Sequence, residues 1–213
     1  YLGTFGQLGC LSFHETKNII SGEGGAILLN NERFVERAEV LWEKGTNRKQ
    51  FFRGQVDKYT WMDIGSSYLP GEIIAAFFFF FLEMAQAIIE KRRRIFNMYI
   101  ELLTPLSRQN RIGLPWQNKS DTANGHIFYI ITGSLKERAS LIDYLKDRGI
   151  NAVFHYVPLH SSPAGRKYGR TFGELRHTKN LSERVLRLPL FYEMQDSEVY
   201  RVVDAIEQFY IHR

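Results

Sequence analysis

The sequence predicts an α/β protein in which part of a larger domain, residues 1–105, is followed by a small α+β domain, residues 106–213. Apolar runs of strand and helix length alternate along the chain, which favours layers of helices on sheets. Two prolines, Pro105 and Pro115, interrupt this pattern near its middle. The 213 residues are 44% hydrophobic and 24% charged, an ordinary globular composition that excludes low-complexity disorder.

The chain begins with two predicted strands, residues 10–13 and 26–29, joined by a tight, glycine-containing turn. Asn31 then caps a predicted helix over residues 32–44, because apolar residues recur there at helical spacing. Residues 45–71 are polar, aromatic and basic without a period. A stretch of this length inside a compact protein is usually functional.

A single long helix is predicted over residues 72–103, begun by Pro70 and Gly71 and closed by Pro105. Five consecutive phenylalanines, residues 77–81, cover every face of this helix. We therefore expect the segment to be buried all round, partly by a partner subunit.

The small domain is predicted from alternating strand and helix patterns. The sequence Ser134-x-x-Glu137 is a capping box and marks a helix start. The predicted elements are a strand at 126–132, a helix at 134–148, a strand at 150–157 and helices at 179–186 and 197–210.

Composition also excludes several classes of protein. Cys10 is the only cysteine, so no disulfide can close within the chain. The longest apolar run, residues 73–82, is half the roughly 20 residues that a membrane-spanning helix needs. A net charge of +5 is compatible with anionic ligands but too weak to indicate nucleic-acid binding.

The most informative segment contains a lysine at a strand-to-turn junction. The ε-amino group of Lys17 can form a Schiff base with an aldehyde cofactor where burial and nearby positive charge favour the neutral amine. Ser12 can donate its hydroxyl to a phosphate, and the glycines at 22–25 allow main chain to approach a ligand closely. The alternative is an exposed lysine beside a hairpin turn.

The same segment resembles a known family. SFHETKN at residues 12–18, followed by GEGGA at 22–26, is similar to the lysine motif of the DegT/StrS family of pyridoxal-phosphate-dependent nucleotide-sugar aminotransferases. The resemblance covers nearly the whole chain. It is strongest, over segments 43–48, 52–61, 154–160 and 188–192, for the subgroup that makes dTDP-4-amino-4,6-dideoxygalactose in enterobacterial common antigen synthesis. It implies a fold-type I, aspartate aminotransferase-like fold.

The resemblance implies roles for the cofactor-binding residues. Lys17 corresponds to the lysine that holds pyridoxal 5′-phosphate and moves a proton between the donor Cα and C4′ of the cofactor. Ser12 corresponds to a phosphate ligand. Relatives place an asparagine of the partner subunit on the phosphate, and Leu69 stands in its place here. We expect Ser67 or Tyr68 to replace that contact.

Substrate-binding residues are also implied. Tyr156 and His160 resemble the loop that approaches the sugar. By their charge, and apart from the resemblance, Arg48, Arg53 and Lys58 are expected to neutralise the diphosphate of a nucleotide sugar, since arginine offers phosphate two parallel hydrogen bonds. The alternative for these arginines is a solvated basic loop.

The implied reaction transfers an amino group from L-glutamate through pyridoxal phosphate to C4 of a dTDP-4-keto-6-deoxy sugar. The resemblance further implies a cytoplasmic homodimer or tetramer that has no nucleic-acid or membrane partner. No metal is expected, because His155 and His160 lack further ligands nearby. Family members are nearly twice as long, so the chain is expected to be the C-terminal part. The upstream part of the family pattern contains the aspartate that pairs with the pyridine nitrogen.

Three alternatives remain open. A catalytically silent fragment of the enzyme is compatible with the sequence. A cofactor-dependent sugar dehydratase of the same fold is disfavoured, because those relatives have histidine where this chain has Lys17. A nucleic-acid binder using KRRR at residues 91–94 is disfavoured, because it leaves the first sixty residues unexplained.

Overall fold

The computed structural model describes residues 2–116 and 123–211. They form two compact units, Tyr1–Gln86 and Ala87–Arg213, called here the N-terminal and C-terminal units. Most of the predicted long helix is therefore counted with the second unit, although its residues were assigned to the first domain. The boundary predicted at residue 105 separates the larger domain from the small domain, and it stays a prediction.

A two-stranded sheet begins the N-terminal unit. Strands β1 (Leu8–Ser12) and β2 (Gly25–Leu29) are antiparallel, with Cys10 opposite Ile27. Both strands were predicted, but the expected tight turn is wrong. The connection is a twelve-residue loop, residues 13–24, which closes on itself through its own hydrogen bonds.

Two short helices follow this sheet. A 3-10 turn at Glu32–Phe34 leads into α1 (Val35–Trp42), and α2 (Arg48–Phe52) lies in the segment that showed no sequence period. The predicted cap is confirmed, since the Asn31 side chain accepts a hydrogen bond from the Arg33 N–H at 3.1 Å.

The expected single helix over residues 72–103 is wrong. It is two helices, α3 (Glu72–Glu83) and α4 (Ala85–Arg108), separated at Met84. Pro105 lies inside α4 instead of closing it. Inside a helix a proline lacks the N–H that would donate to the carbonyl four residues earlier, and its ring crowds that carbonyl, which normally kinks or ends the helix. The helix continues past it, and the Gln109 N–H donates to the Pro105 carbonyl at 3.2 Å.

The described residues of this chain do not bury the phenylalanine run by themselves, and its expected burial by a partner subunit stays a prediction. No residue of α3 is fully buried, and Phe79 and Phe80 are 62% and 60% exposed. Phe78 is the member of the run that contacts the lysine segment, with its ring 4.2 Å from that of Phe13. Within the described residues no single helix is long and apolar enough to cross a membrane. The bent pair of α3 and α4 meets these length and composition criteria only when the two helices are taken together.

The C-terminal unit, which also contains α4, packs helices on a small antiparallel sheet of strand order β3-β5-β4. Its remaining elements are β3 (Phe128–Ile131), α5 (Leu135–Lys146), β4 (Val153–Phe154), α6 (Pro163–Tyr168), α7 (Arg176–Arg184), β5 (Val185–Leu188) and α8 (Asp196–Ile211). The capping box is confirmed, because Ser134 Oγ accepts from the Glu137 N–H at 3.1 Å.

Two sequence predictions differ from this sheet. The strand expected at 150–157 is only two residues long, and the helix expected at 179–186 ends at Arg184. Residues 185–188 instead form β5, the central strand, with Leu186 and Leu188 buried. Its alternating burial is hidden in the sequence by the helical pattern that runs directly into it.

One face of this sheet forms the core. Phe128 and Ile130 are fully buried beside Leu186, against residues of α4, α5 and α8. The Tyr99 ring stacks on Phe128 at 4.7 Å, and its hydroxyl donates to the Pro189 carbonyl at 2.9 Å. Burial of this hydroxyl raises the pKa of Tyr99.

Candidate active site

The lysine segment is a closed loop between β1 and β2. The Phe13 N–H donates to the Gly24 carbonyl at 2.9 Å, and the Glu15 N–H donates to the Gly22 carbonyl at 2.7 Å. Gly22 has a φ of +80°, a conformation that favours glycine. Ser21, 4% exposed, donates its hydroxyl to the Glu23 carbonyl at 2.8 Å. Sequence reasoning missed Ser21; its position directly before the glycine motif was the available signal.

Lys17 lies within this loop. Its N–H donates to the His14 carbonyl at 2.9 Å, which forms a turn, and its side chain is exposed. Within residues 2–116 and 123–211, its ammonium group has no salt-bridge or hydrogen-bond partner. An amine outside an ion pair is accessible to an aldehyde, but among the described residues Lys17 lacks the burial that would favour its neutral form, so its covalent role stays a prediction.

Ser12 ends β1, at the start of the same loop. It is exposed, and its Oγ lies 3.4 Å from the His14 nitrogen. The structure therefore brings Ser12 and Lys17 to one loop, with hydroxyl and amine both accessible to a ligand. Its role as a phosphate ligand stays a prediction.

Ser67 and Tyr68 lie in an extended segment beside the C-terminal end of α1. The Ser66 N–H donates to the Leu41 carbonyl at 3.0 Å, and the Tyr68 N–H donates to the Trp42 carbonyl at 3.3 Å. Both Ser67 and Tyr68 are exposed, Tyr68 by 67%. Their hydroxyls are accessible, and the predicted contact with a phosphate remains untested.

Two carboxylates at the C-terminal part of α1, Glu39 and Glu43, pair with basic residues of the segment 45–71. Glu43, only 5% exposed, lies between Arg48 at 3.8 Å and Lys49 at 3.9 Å. Arg53 donates both terminal guanidinium nitrogens to Glu39, with 2.9 Å from Nη1 to Oε2, and this hydrogen bonding raises the pKa of Arg53. The two arginines expected at a diphosphate are therefore paired with carboxylates in this chain. Sequence reasoning missed both partners, although Glu43 opens one of the segments that carry the family resemblance.

A buried asparagine closes the same segment. Asn47, 9% exposed, accepts the Thr60 N–H at 2.8 Å through its side-chain oxygen, and its own N–H donates to the Thr60 carbonyl at 3.3 Å. These bonds fix residues 47 and 60 side by side. The long aperiodic stretch is thus an ordered loop held by polar contacts.

In the C-terminal unit, Tyr156 and His160 line one cavity of about 390 Å³, together with Arg138, Phe154 and Lys179. The Arg138 Nη1 donates to the Ser182 carbonyl at 2.9 Å, which joins α5 to α7. The structure thus brings the two residues of the implied sugar loop together. Their contact with a sugar stays a prediction.

Among the described residues, no three or more histidine, cysteine, aspartate or glutamate side chains are placed to hold a metal ion. Three features carry reactive or ligand-binding side chains: the Lys17 loop, the basic segment 45–71 with its carboxylate partners, and the Tyr156–His160 cavity.

Comparison with known proteins gives a consistent result. The DegT/DnrJ/EryC1/StrS aminotransferase family matches residues 1–207. GDP-perosamine synthase of Escherichia coli O157:H7 is 27% identical over 99% of this chain and 54% of its own length. dTDP-4-dehydro-2,3,6-trideoxy-D-glucose 4-aminotransferase of Saccharopolyspora spinosa is 26% identical over 99% of this chain and 54% of its own. The chain spans about half the length of the curated relatives it matches.

The fold has solved counterparts. The crystal structure of S. venezuelae DesV in complex with a ketimine intermediate matches 97% of this chain and 52% of its own, with a TM-score of 0.82 and 26% identity. This likeness confirms the predicted fold class.

Proposed function

The chain belongs to the DegT/DnrJ/EryC1/StrS aminotransferase family, and we propose that it supplies the lysine-bearing part of an aminotransferase that acts on a nucleotide sugar. The cofactor of this family is pyridoxal 5′-phosphate. The observation that carries the proposal is the position of Lys17 on a hydrogen-bonded loop whose sequence resembles the family's lysine motif.

Lys17 would hold the aldehyde carbon of the cofactor. When bound, pyridoxal phosphate supplies an electron sink for the transfer of an amino group. The flexible side chain of Lys17 would move the proton between the donor Cα and the C4′ position, a general acid and base role. The exposed hydroxyl of Ser12 would donate to the phosphate, and Ser67 or Tyr68 would add a further donor.

The proposed amino donor is L-glutamate, and the proposed acceptor is C4 of a dTDP-4-keto-6-deoxy sugar. Resemblance to the dTDP-4-amino-4,6-dideoxygalactose subgroup supports this substrate, as does the name of the dTDP-sugar relative. The GDP-perosamine synthase relative identifies the alternative nucleotide. The cavity beside Tyr156 and His160, about 390 Å³, falls in the size range of small-molecule sites.

The proposed assembly is a homodimer or tetramer. The exposed phenylalanines of α3 support it, since a contiguous apolar surface of this kind is usually covered by protein. Arg48 and Arg53 would reach a diphosphate only by exchanging their present carboxylate partners.

The test is covalent labelling of the full-length protein. Borohydride reduction should fix a pyridoxyl group on the peptide that contains Lys17, as located by mass spectrometry after digestion. Lys17→Ala should abolish both the label and the formation of amino sugar from glutamate and keto sugar. Lys136→Ala, which removes an exposed lysine of α5, is the matched control and should leave both unchanged.

Two results would overturn the proposal: a label on another peptide, or turnover retained by Lys17→Ala. Parallel incubations with dTDP-linked and GDP-linked 4-keto-6-deoxy sugars identify the nucleotide, because the preferred one should give the higher kcat/KM.

A further inference from the structure

The sheet of the C-terminal unit has an arginine at its centre, on the face opposite the core. Arg187 lies in β5 between Leu186 and Leu188, which are buried on the core side. Its cross-strand neighbours are Tyr129 on β3 and Val153 on β4. Because side chains alternate along a strand, these three residues share the second face, and Arg187 is half-buried there.

Arg187 has no charge partner within the described residues. No carboxylate lies within salt-bridge distance, and none of its guanidinium N–H groups donates a hydrogen bond to a described residue. Leaving donors of a half-buried charged group unmatched costs free energy, so arginines in such positions normally have an acceptor. Arg48 and Arg53 differ, because each already faces a glutamate.

Arg187 lines a cavity of about 160 Å³. It is also lined by Asn151 and Leu190, and no residue that lines it is Asp or Glu. Its volume exceeds the roughly 30 Å³ that a water molecule occupies in the liquid, so a carboxylate or phosphate group can enter.

The positive potential extends to the neighbouring loop. Partial burial and, second, the charge of Arg187 lower the pKa of His155. The titration of His155 therefore reports on the charge of Arg187.

We infer that Arg187 and its adjoining cavity bind an oxyanion of the substrates. A planar guanidinium offers two parallel N–H groups to a carboxylate or phosphate, and such charge-assisted pairs are among the stronger hydrogen bonds. This inference rests on the proposed function for the source of the anion. That source is the carboxylate of the amino donor or the diphosphate of the nucleotide sugar.

The first experiment measures anion binding without any turnover. The His155 pKa is followed by NMR in the full-length protein, with glutarate or inorganic pyrophosphate as the probe. A bound anion offsets the charge of Arg187, so the His155 pKa should rise with at least one probe. In Arg187→Gln the pKa of His155 should be higher before the probe is added, and it should not change when the probe is added. Arg166→Gln, which removes an exposed arginine of α6, should behave as the wild type.

An unchanged His155 pKa with both probes, or an equal rise in Arg187→Gln, overturns the inference. If Arg187→Gln does not fold, Arg187→Lys replaces it. Lysine keeps the charge but loses the two parallel donors, so the His155 pKa should stay low and the probe should bind several-fold more weakly. Equal affinity in Arg187→Lys would overturn the bidentate contact.

The second experiment identifies the source. In Arg187→Gln the KM for glutamate should rise about tenfold or more if the donor carboxylate is bound, with the KM for the nucleotide sugar within about twofold. A rise in the KM for the nucleotide sugar, with the KM for glutamate unchanged, identifies the diphosphate as the bound group. If neither KM changes, the inference is overturned. The pyridoxyl label on Lys17 should persist in Arg187→Gln, which separates failure of this inference from failure of the proposed function.

Discussion

The two units of the chain are stabilised by different means. Every fully buried hydrophobic side chain among the described residues, from Ile88 to Tyr210, belongs to the C-terminal unit. Of the buried polar side chains among the described residues, Ser21, Glu43 and Asn47 belong to the N-terminal unit, and Thr132 belongs to the C-terminal unit. Apolar burial holds the C-terminal unit together, whereas hydrogen bonds and ion pairs arrange the loops of the N-terminal unit.

This difference places stability and chemistry in different parts of the chain. Apolar burial is the dominant favourable term in folding, so the C-terminal unit should supply most of the free energy of unfolding. The N-terminal unit carries Lys17 and Ser12 on a loop, and it leaves Phe79 and Phe80 exposed. Loops positioned by a scaffold are where binding and catalytic residues concentrate.

The largest expected effect comes from Phe128→Ala. Phe128 is fully buried and stacks on Tyr99, so truncation removes buried apolar surface and leaves a cavity. We expect the free energy of unfolding of the C-terminal unit to fall by about 3–5 kcal/mol, measured by urea denaturation.

Phe79→Ala is the matched control in the N-terminal unit. Because Phe79 is 62% exposed, the same truncation in the 213-residue chain should cost less than about 1 kcal/mol. Equal losses for the two variants would contradict the contrast between the units.

The sequence predicts elements whose signals are local. Asn31 and Ser134 mark helix starts by their own side-chain chemistry, and the structure confirms both caps. The final helix, expected at 197–210, is found at Asp196–Ile211. Strand β5 could not be separated from the preceding helical pattern, because its strand conformation depends on pairing with β3 and β4.

The residues of the candidate site divide in the same way, into those with a local sequence signal and those without one. Lys17 and Ser12 were identified because their motif is contiguous in sequence and resembles a family. Glu43, Asn47 and Arg187 were not, because their importance comes from burial and from distant neighbours. A carboxylate in a basic segment looks like ordinary surface until folding encloses it between Arg48 and Lys49.

An intermediate effect is expected from Asn47→Ala. The change leaves the Thr60 N–H without its side-chain acceptor, and because Thr60 is exposed and water can replace that acceptor, the loss should be about 0.5–1.5 kcal/mol. The loss should appear as faster hydrogen exchange at Thr60, while amides of β3 and β5 keep their protection. Asn47→Asp retains an acceptor oxygen and should restore part of the protection. Slow exchange at Thr60 in Asn47→Ala would show that this asparagine does not fix the loop.

The smallest expected effect on stability comes from Arg53→Gln. The pair with Glu39 is solvent-exposed at the arginine, where side-chain entropy and salt screening offset most of the attraction. Neither Arg53→Gln nor Glu39→Gln should therefore move the Tm measurably at physiological ionic strength. In the full-length protein Arg53→Gln should still raise the KM for the nucleotide sugar if Arg53 binds the diphosphate, whereas Glu39→Gln releases the guanidinium and should lower it. A clear fall in Tm in either variant would mean that the N-terminal unit depends on its ion pairs for stability, and not only for the arrangement of its loops.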